Sequence, residues 1–205
     1  MQIEKQFSVA LASLLACGFI AGAEIININT PHTTMLLDAT AGQPLKFIYY
    51  GDALNEADID NVAASTKQWH DAYPVYGMSA MRETAMSVTH PDGNMTLDMA
   101  VTSTEEVTRE DGAKLTTVTM TDRHYPFDIK LNYLTYPDND VIETWAEAVN
   151  RDKKTVVLRE FSSAYMPLRR GNVYLTSFTG SWANEANVVE EQLTPGMKTI
   201  KNKDG

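Results

Sequence analysis

The residues of this chain that could do chemistry are four histidines, a surplus of carboxylates and one tryptophan placed at a glycine turn. His32, His70, His90 and His124 are scattered, with no H-x-x-x-H or His/Asp ligand spacing, so they read as turn and surface residues and no metal site is assigned. A catalytic carboxylate pair must face across a cleft at a defined separation. Most of these carboxylates fall in turns or beside threonines, where they read as solvated charges. The sequence has no G-x-S-x-G elbow, P-loop or G-x-G-x-x-G, which removes support for serine-nucleophile, nucleotide and dinucleotide chemistry. No cofactor and no catalytic residue are assigned. The tyrosines of Tyr49-Tyr50-Gly51 and of Asp71-Ala-Tyr73-Pro-Val-Tyr76-Gly77 read as core or corner residues with bonded hydroxyls. Trp182 is different, because Gly180 and Ser181 leave its surroundings open. An indole offered at such a turn suits stacking on a flat ligand face, such as the apolar side of a sugar ring; core or edge packing is the alternative.

The elements that must position these residues are strands. From residue 24 onward the dominant period is two, which sends alternate side chains to opposite faces of a sheet. Leu97, Met99 and Val101 alternate with Thr96, Asp98 and Ala100. Val118 and Met120 stand among threonines in 114–121, and Phe127, Ile129, Leu131 and Tyr133 alternate with Asp128, Lys130 and Asn132. Further strands are expected at 24–29, 44–50, 141–149, 155–162 and from Tyr174 into the glycine turn. Turn chemistry separates them in His90-Pro-Asp-Gly-Asn, Arg109-Glu-Asp-Gly, Tyr136-Pro-Asp-Asn-Asp and Asn150-Arg-Asp-Lys-Lys. This is the pattern of an all-β protein, a large antiparallel β-sandwich. One stretch departs from it. Residues 52–72 are polar and lack alternation, with a short helix expected near 55–65 and Glu56, Asp58 and Asp60 clustered on it. Such a loop is often functional or interfacial, and a solvated excursion is the plainer reading.

Residues 1–23 read as an export signal. Phe7 to Ile20 is an almost unbroken apolar run, and Ala21-Gly22-Ala23 fits a small-x-small cleavage site. The run is short for a membrane span, so no span is expected once the signal is removed, and the location is periplasmic or extracellular. A second reading makes Cys17 the lipid-bearing residue of a lipoprotein signal, although Leu15 fits that pattern poorly. Cys17 is the only cysteine, so cleavage after Ala23 leaves a chain without disulfides or cysteine metal sites. A net charge of −10 with no Lys/Arg cluster argues against a nucleic-acid partner.

The order of motifs resembles the N-terminal domain of glycoside hydrolase family 36, the α-galactosidases. The landmarks are Ile28-Asn-Thr-Pro-His-Thr-Thr, Phe47-Ile-Tyr-Tyr-Gly, Asp71-Ala-Tyr-Pro-Val-Tyr-Gly, Val88-Thr-His-Pro-Asp-Gly-Asn and Tyr125-Pro-Phe-Asp-Ile, followed by Tyr136-Pro-Asp-Asn-Asp-Val-Ile-Glu-Thr-Trp, Tyr174-Leu-Thr-Ser-Phe-Thr-Gly-Ser-Trp and Glu191-Gln-Leu-Thr-Pro-Gly. Each is weak alone; in this order they cover nearly all of 24–205. The resemblance implies a β-supersandwich preceding a (β/α)₈ catalytic barrel, with this chain ending before the supersandwich is complete. It implies two barrel aspartates as nucleophile and general acid/base, acting with retention. Neither is among these residues, so the 205-residue chain alone is expected to be inactive. The family's Gly-x-Trp-Gly-Arg-Glu motif lines the sugar site and corresponds to Gly180-Ser-Trp182-Ala-Asn-Glu here, with Ala183 and Asn184 replacing glycine and arginine. A family aspartate on the loop after the Tyr-Gly strand reaches the aglycone; Asp58 and Asp60 cannot be told apart by motif, so that role is not carried over.

The expected function is therefore the N-terminal part of an exported retaining α-galactosidase, with an α-galactoside as partner and a homo-oligomer in keeping with the family. The alternative is a non-catalytic sugar-binding or oligomerisation sandwich, and a third reading is an exported sandwich with a purely structural role.

Overall fold

A computed structural model describes residues 24–65, 70–78, 83–168 and 171–200. The expected signal peptide and Cys17 lie outside the described residues. The chain divides into two compact units, Met1–Met166 and Pro167–Gly205.

In the first unit, β1 (Ile25–Asn29), β2 (Thr33–Asp38), β3 (Lys46–Asp52) and β4 (His70–Asp71) form an antiparallel sheet in chain order. Helix α1 (Glu56–Ser65) lies between β3 and β4 in sequence, and β5 (Met86–Thr89) pairs antiparallel with β10 (Val157–Phe161). Four longer strands, β6 (Met99–Thr108), β7 (Lys114–Asp122), β8 (Phe127–Thr135) and β9 (Ile142–Asn150), make an antiparallel meander. The all-β antiparallel sandwich expected from the sequence is the fold observed.

Its cause is visible strand by strand. On β7 the side chains of Thr116, Val118, Met120 and Asp122 are buried, while Leu115, Thr117, Thr119 and Thr121 are half-buried on the other face. Val118, Met120, Ile129 and Leu131 from the meander meet Ile26, Ile28, Met35 and Leu37 from the first sheet in one core, with Met86 and Val88 of β5. Each such aliphatic side chain contributes about 1.5–3 kcal/mol on leaving water. The Asp-Gly turns behave as their chemistry requires. Gly93 and Gly112 take φ of 89° and 82°, and Asp92 and Asp111 accept the amides of Asn94 and Ala113 two residues on.

Strand β2 was not expected. It is buried on both faces, so it shows no alternation: Met35 and Leu37 enter the core, and Thr34 and Leu36 are covered from behind. Part of that cover is the chain leaving β3, where the Leu54 amide donates to Thr34 Oγ1 at 3.0 Å.

In the second unit, β11 (Tyr174–Ser181) and β12 (Asn184–Gln192) form an antiparallel hairpin. Strand β12 also lacked a sequence signal, because most of it is exposed on both faces.

Candidate functional site

Ser181 and Asn184 are the last residues that β11 and β12 pair, so Trp182 and Ala183 are the two loop residues of the hairpin. Gly180 and Ser181, expected in the turn, belong to the end of β11 instead. A two-residue loop must reverse the chain abruptly, and here Ala183 does so at φ 62°, in the left-handed region that costs an L-residue about 1–2 kcal/mol. The alanine thus occupies the position at which the resembling family motif carries glycine. Ala186 repeats the conformation at φ 57°, and a register shift between Thr179 and Ser181 places a bulge on β12, where Glu185 and Ala186 oppose Gly180. Gly180 lies at that bulge, where an added Cβ would come within 3.1 Å of Glu185 Cα and 3.4 Å of the Asn184 carbonyl oxygen. Asn187 ties the base of the loop, its Nδ2 donating to the Asn184 carbonyl and to Asn184 Oδ1, both at 3.1 Å. Asn184, where the family motif has arginine, therefore serves the hairpin itself.

The result is a tryptophan at the apex, 95 % exposed. Both faces of its indole are open to solvent within its own hairpin. Such a ring can stack on the apolar face of a ligand and offer its N–H at the edge. Of the residues that shape its setting, Gly180 was singled out from the sequence, whereas the left-handed conformations of Ala183 and Ala186 were not. Their signal is the run of small residues on either side of the tryptophan.

The acidic cluster on α1 resolves differently. Asn55 caps the helix: its Oδ1 accepts the Asp58 amide at 3.0 Å, and its Nδ2 donates to Asp58 Oδ2 at 2.7 Å. Asp58 is engaged in that reciprocal cap at the helix N-terminus, where its charge also suits the helix dipole. Asp60 is exposed two residues further on.

The histidines are not brought together. Among the described residues no three His, Cys, Asp or Glu side chains form a group able to hold a metal. His32 lies at the surface against Asp140, His124 Nε2 is 3.4 Å from Asp98, and His70 is on β4. His90 corrects the expectation of a surface residue: it is 3 % exposed and stacks on Tyr125 at 3.6 Å between ring centroids, with Phe127 edge-on at 6.2 Å. Tyr125 then donates to Asp92 at 2.8 Å and accepts from Asn94 at 2.9 Å. The Asn94 amide, with Tyr125, holds the Asp92 carboxyl below its ordinary range. The landmarks thus meet in pairs. His90-Pro-Asp-Gly-Asn docks on Tyr125-Pro-Phe, Thr30 and His32 dock on Asp140, and Lys46, the residue before the Phe47 landmark, pairs with Asp71. These motifs fasten loops and strands together. The expected corner tyrosines divide: Tyr73 is buried and donates to the Ser162 carbonyl, whereas Tyr76 is exposed.

No helix among the described residues is long and apolar enough to cross a membrane. The sequence pattern of the glycosyl hydrolase family 36 N-terminal domain matches residues 43–205. Comparison with curated proteins finds no match. Among solved structures, the α-galactosidase of Lactobacillus brevis is similar at a TM-score of 0.74 and 22% identity, over 87% of this chain and 28% of that one. The α-galactosidase AgaA of Geobacillus stearothermophilus gives 0.71 and 16%, over 84% and 28%. The galactosidase domain of the α-galactosidase-sucrose kinase AgaSK gives 0.71 and 21%, again over 84% and 28%. At these identities the likeness is one of fold, and the chain spans little more than a quarter of each solved chain.

Proposed function

This chain belongs to the family of glycosyl hydrolase family 36 N-terminal domains, and on that basis we propose that it is the N-terminal β-sandwich of an exported, retaining α-galactosidase. The substrates are terminal α-D-galactosyl residues of oligosaccharides. A variant of the AgaA enzyme has been solved with raffinose and another with stachyose, which supports this substrate class. In the proposed mechanism one carboxylate attacks the anomeric carbon and a second protonates the leaving oxygen, then activates the water that releases the sugar. Those two carboxylates are proposed to lie outside these 205 residues. Export rests on residues 1–23, with cleavage after Ala23 favoured over lipidation at Cys17.

The observation that carries the reading is Trp182, 95 % exposed on a two-residue loop whose backbone leaves it no partner in its own hairpin. Its role is to form one wall of the galactose site, stacking on the apolar face of the ring. The test is Trp182→Ala in the complete enzyme. KM for a nitrophenyl α-galactoside should rise about tenfold, equivalent to ~1.4 kcal/mol of lost contact, at an unchanged melting temperature. Unaltered KM and kcat would remove Trp182 from the site. Turnover by the isolated 205-residue chain would overturn the placement of both carboxylates elsewhere.

A further inference from the structure

The outer face of the meander carries a second organised group of side chains. Directly paired residues on neighbouring antiparallel strands share a face. Thr117, Asn132 and Trp145 are paired in one row across β7, β8 and β9, and Thr119, Lys130 and Glu147 in the next. The intervening residues Val118, Ile129, Leu131 and Tyr133 enter the core, so these rows lie on the outside.

Asn132 organises them. It is 4 % exposed, flanked on its face of β8 by the half-buried Lys130 and the buried Leu134. Its Oδ1 accepts from Thr117 Oγ1 at 2.8 Å, and its Nδ2 donates to Glu147 Oε1 at 2.9 Å. The same oxygen accepts the indole N–H of Trp145 at 3.1 Å. The indole edge is thereby fixed to a carboxylate that is itself fixed to a buried amide. Glu147 is exposed, and its Oε2 has no hydrogen bond among the described residues. Lys130 stands directly opposite Glu147, yet makes no ion pair among the described residues. Thr119 adds a hydroxyl beside it. One row further, Asp128 is already neutralised by Arg151 at 2.7 Å.

We propose that Trp145, Glu147, Lys130 and Thr119, with Asn132 beneath them, form a binding site for a neutral saccharide on the outer face of the β6–β9 sheet. The chemistry selects the ligand. A half-buried indole supplies a flat apolar surface. Around it stand an open carboxylate oxygen, an ammonium and hydroxyls, which pair with the hydroxyls of a sugar. Lys130 and Glu147 face each other as one positive and one negative charge, and the exposed Glu105 ends the Thr117 row, so the site does not attract a polyanion. The site uses no residue of the β11–β12 hairpin, and it stands independently of the role proposed for Trp182.

The test is affinity electrophoresis of the full 205-residue chain in native gels cast with galactomannan, xylan or hydroxyethyl cellulose, with near-ultraviolet circular dichroism to verify folding. The chain should be retarded by at least one of these polysaccharides. Trp145→Ala and Glu147→Gln should each weaken the retardation about tenfold in apparent affinity. Glu147→Gln keeps an oxygen acceptor for Asn132 and the indole, so it remains informative if Trp145→Ala fails to fold. Absence of retardation on all three polymers would overturn the proposal. So would retardation lost in Trp182→Ala but kept in Trp145→Ala and Glu147→Gln, an outcome that would leave the hairpin reading standing.

Discussion

His32 and Asp140, 108 residues apart, meet in two contacts of 2.7 Å: the His32 amide donates to Asp140 Oδ1, and the imidazole Nδ1 contacts Oδ2. Thr30 Oγ1 adds a third bond to Oδ1 at 2.8 Å. One carboxylate thus fastens the turn between β1 and β2 to the turn between β8 and β9, linking the two four-stranded sheets at one end. The His32 side chain, then the His32 amide and Thr30, hold the Asp140 carboxyl below its ordinary range. A depressed folded pKa gives stability that is present above the unfolded value of about 3.9 and lost as pH falls through the folded value. Asp140→Asn should lower the melting temperature at neutral pH, and the difference from wild type should shrink as the pH falls below 4. A pH-independent difference in thermal scans would show that the carboxylate charge plays no part.

Alkaline pH tests the other end of the scale. Burial pushes the Tyr73 phenol up to about 12, and its hydroxyl donates to the Ser162 carbonyl at 2.5 Å. A raised folded pKa gives stability that is full below the unfolded value near 10 and lost as pH climbs toward 12. Burial raises the Tyr133 phenol in the same direction. Tyr73→Phe should cost about 1 kcal/mol at pH 7 through the lost hydrogen bond, yet move the alkaline unfolding midpoint upward. Circular dichroism against pH reads both effects; an unmoved alkaline midpoint would count against a role for Tyr73 ionisation.

At the hairpin loop, Ala183→Gly removes the penalty of an L-residue at φ 62°. The expected gain is about 1 kcal/mol of hairpin stability, read as slower amide exchange in β11 and β12. Gly180→Val should do the reverse, since its Cβ would press within 3.1 Å of the Glu185 backbone. Equal exchange in all three proteins would mean that the loop conformation does not limit the hairpin.

Helix α1 has no fully buried residue and no basic residue in its last turn, so its cap matters more than usual. Asn55→Ala should cost about 1 kcal/mol of helix stability and speed amide exchange over residues 57–63. Asp60→Asn should leave that exchange unchanged. Matched behaviour of the two variants would deny Asn55 its capping role.

Much of this architecture was legible because strands with one wet face announce themselves. The alternation of Val118 and Met120 with threonines, and of Phe127, Ile129 and Leu131 with Asp128 and Lys130, marks β7 and β8, and the expected bounds fall within two residues of those observed. Strands without that contrast were silent. Met35-Leu36-Leu37 in β2 is buried throughout, and most of β12 is exposed throughout; neither case leaves a period to read. His90 was misjudged because its burial depends on Tyr125 and Phe127, ring partners from another loop. Trp182 lies in the loop as expected, but the loop is Trp182-Ala183, not Gly180-Ser181-Trp182. The conformational demands on Gly180 and Ala183 beside it are properties of a bulge and a register, which appear only once β11 and β12 are paired.

The hairpin apex has a consequence for how its specificity could be altered. Backbone demands at Gly180, Ala183 and Ala186 restrict which residues fit there, while the Trp182 side chain rests on nothing in its own hairpin. Position 182 is thus an interchangeable fitting on a keyed mount. Tyrosine, phenylalanine, histidine or arginine could be installed there without rebuilding the loop. Such a series would vary what the hairpin offers a ligand while keeping where it is offered constant.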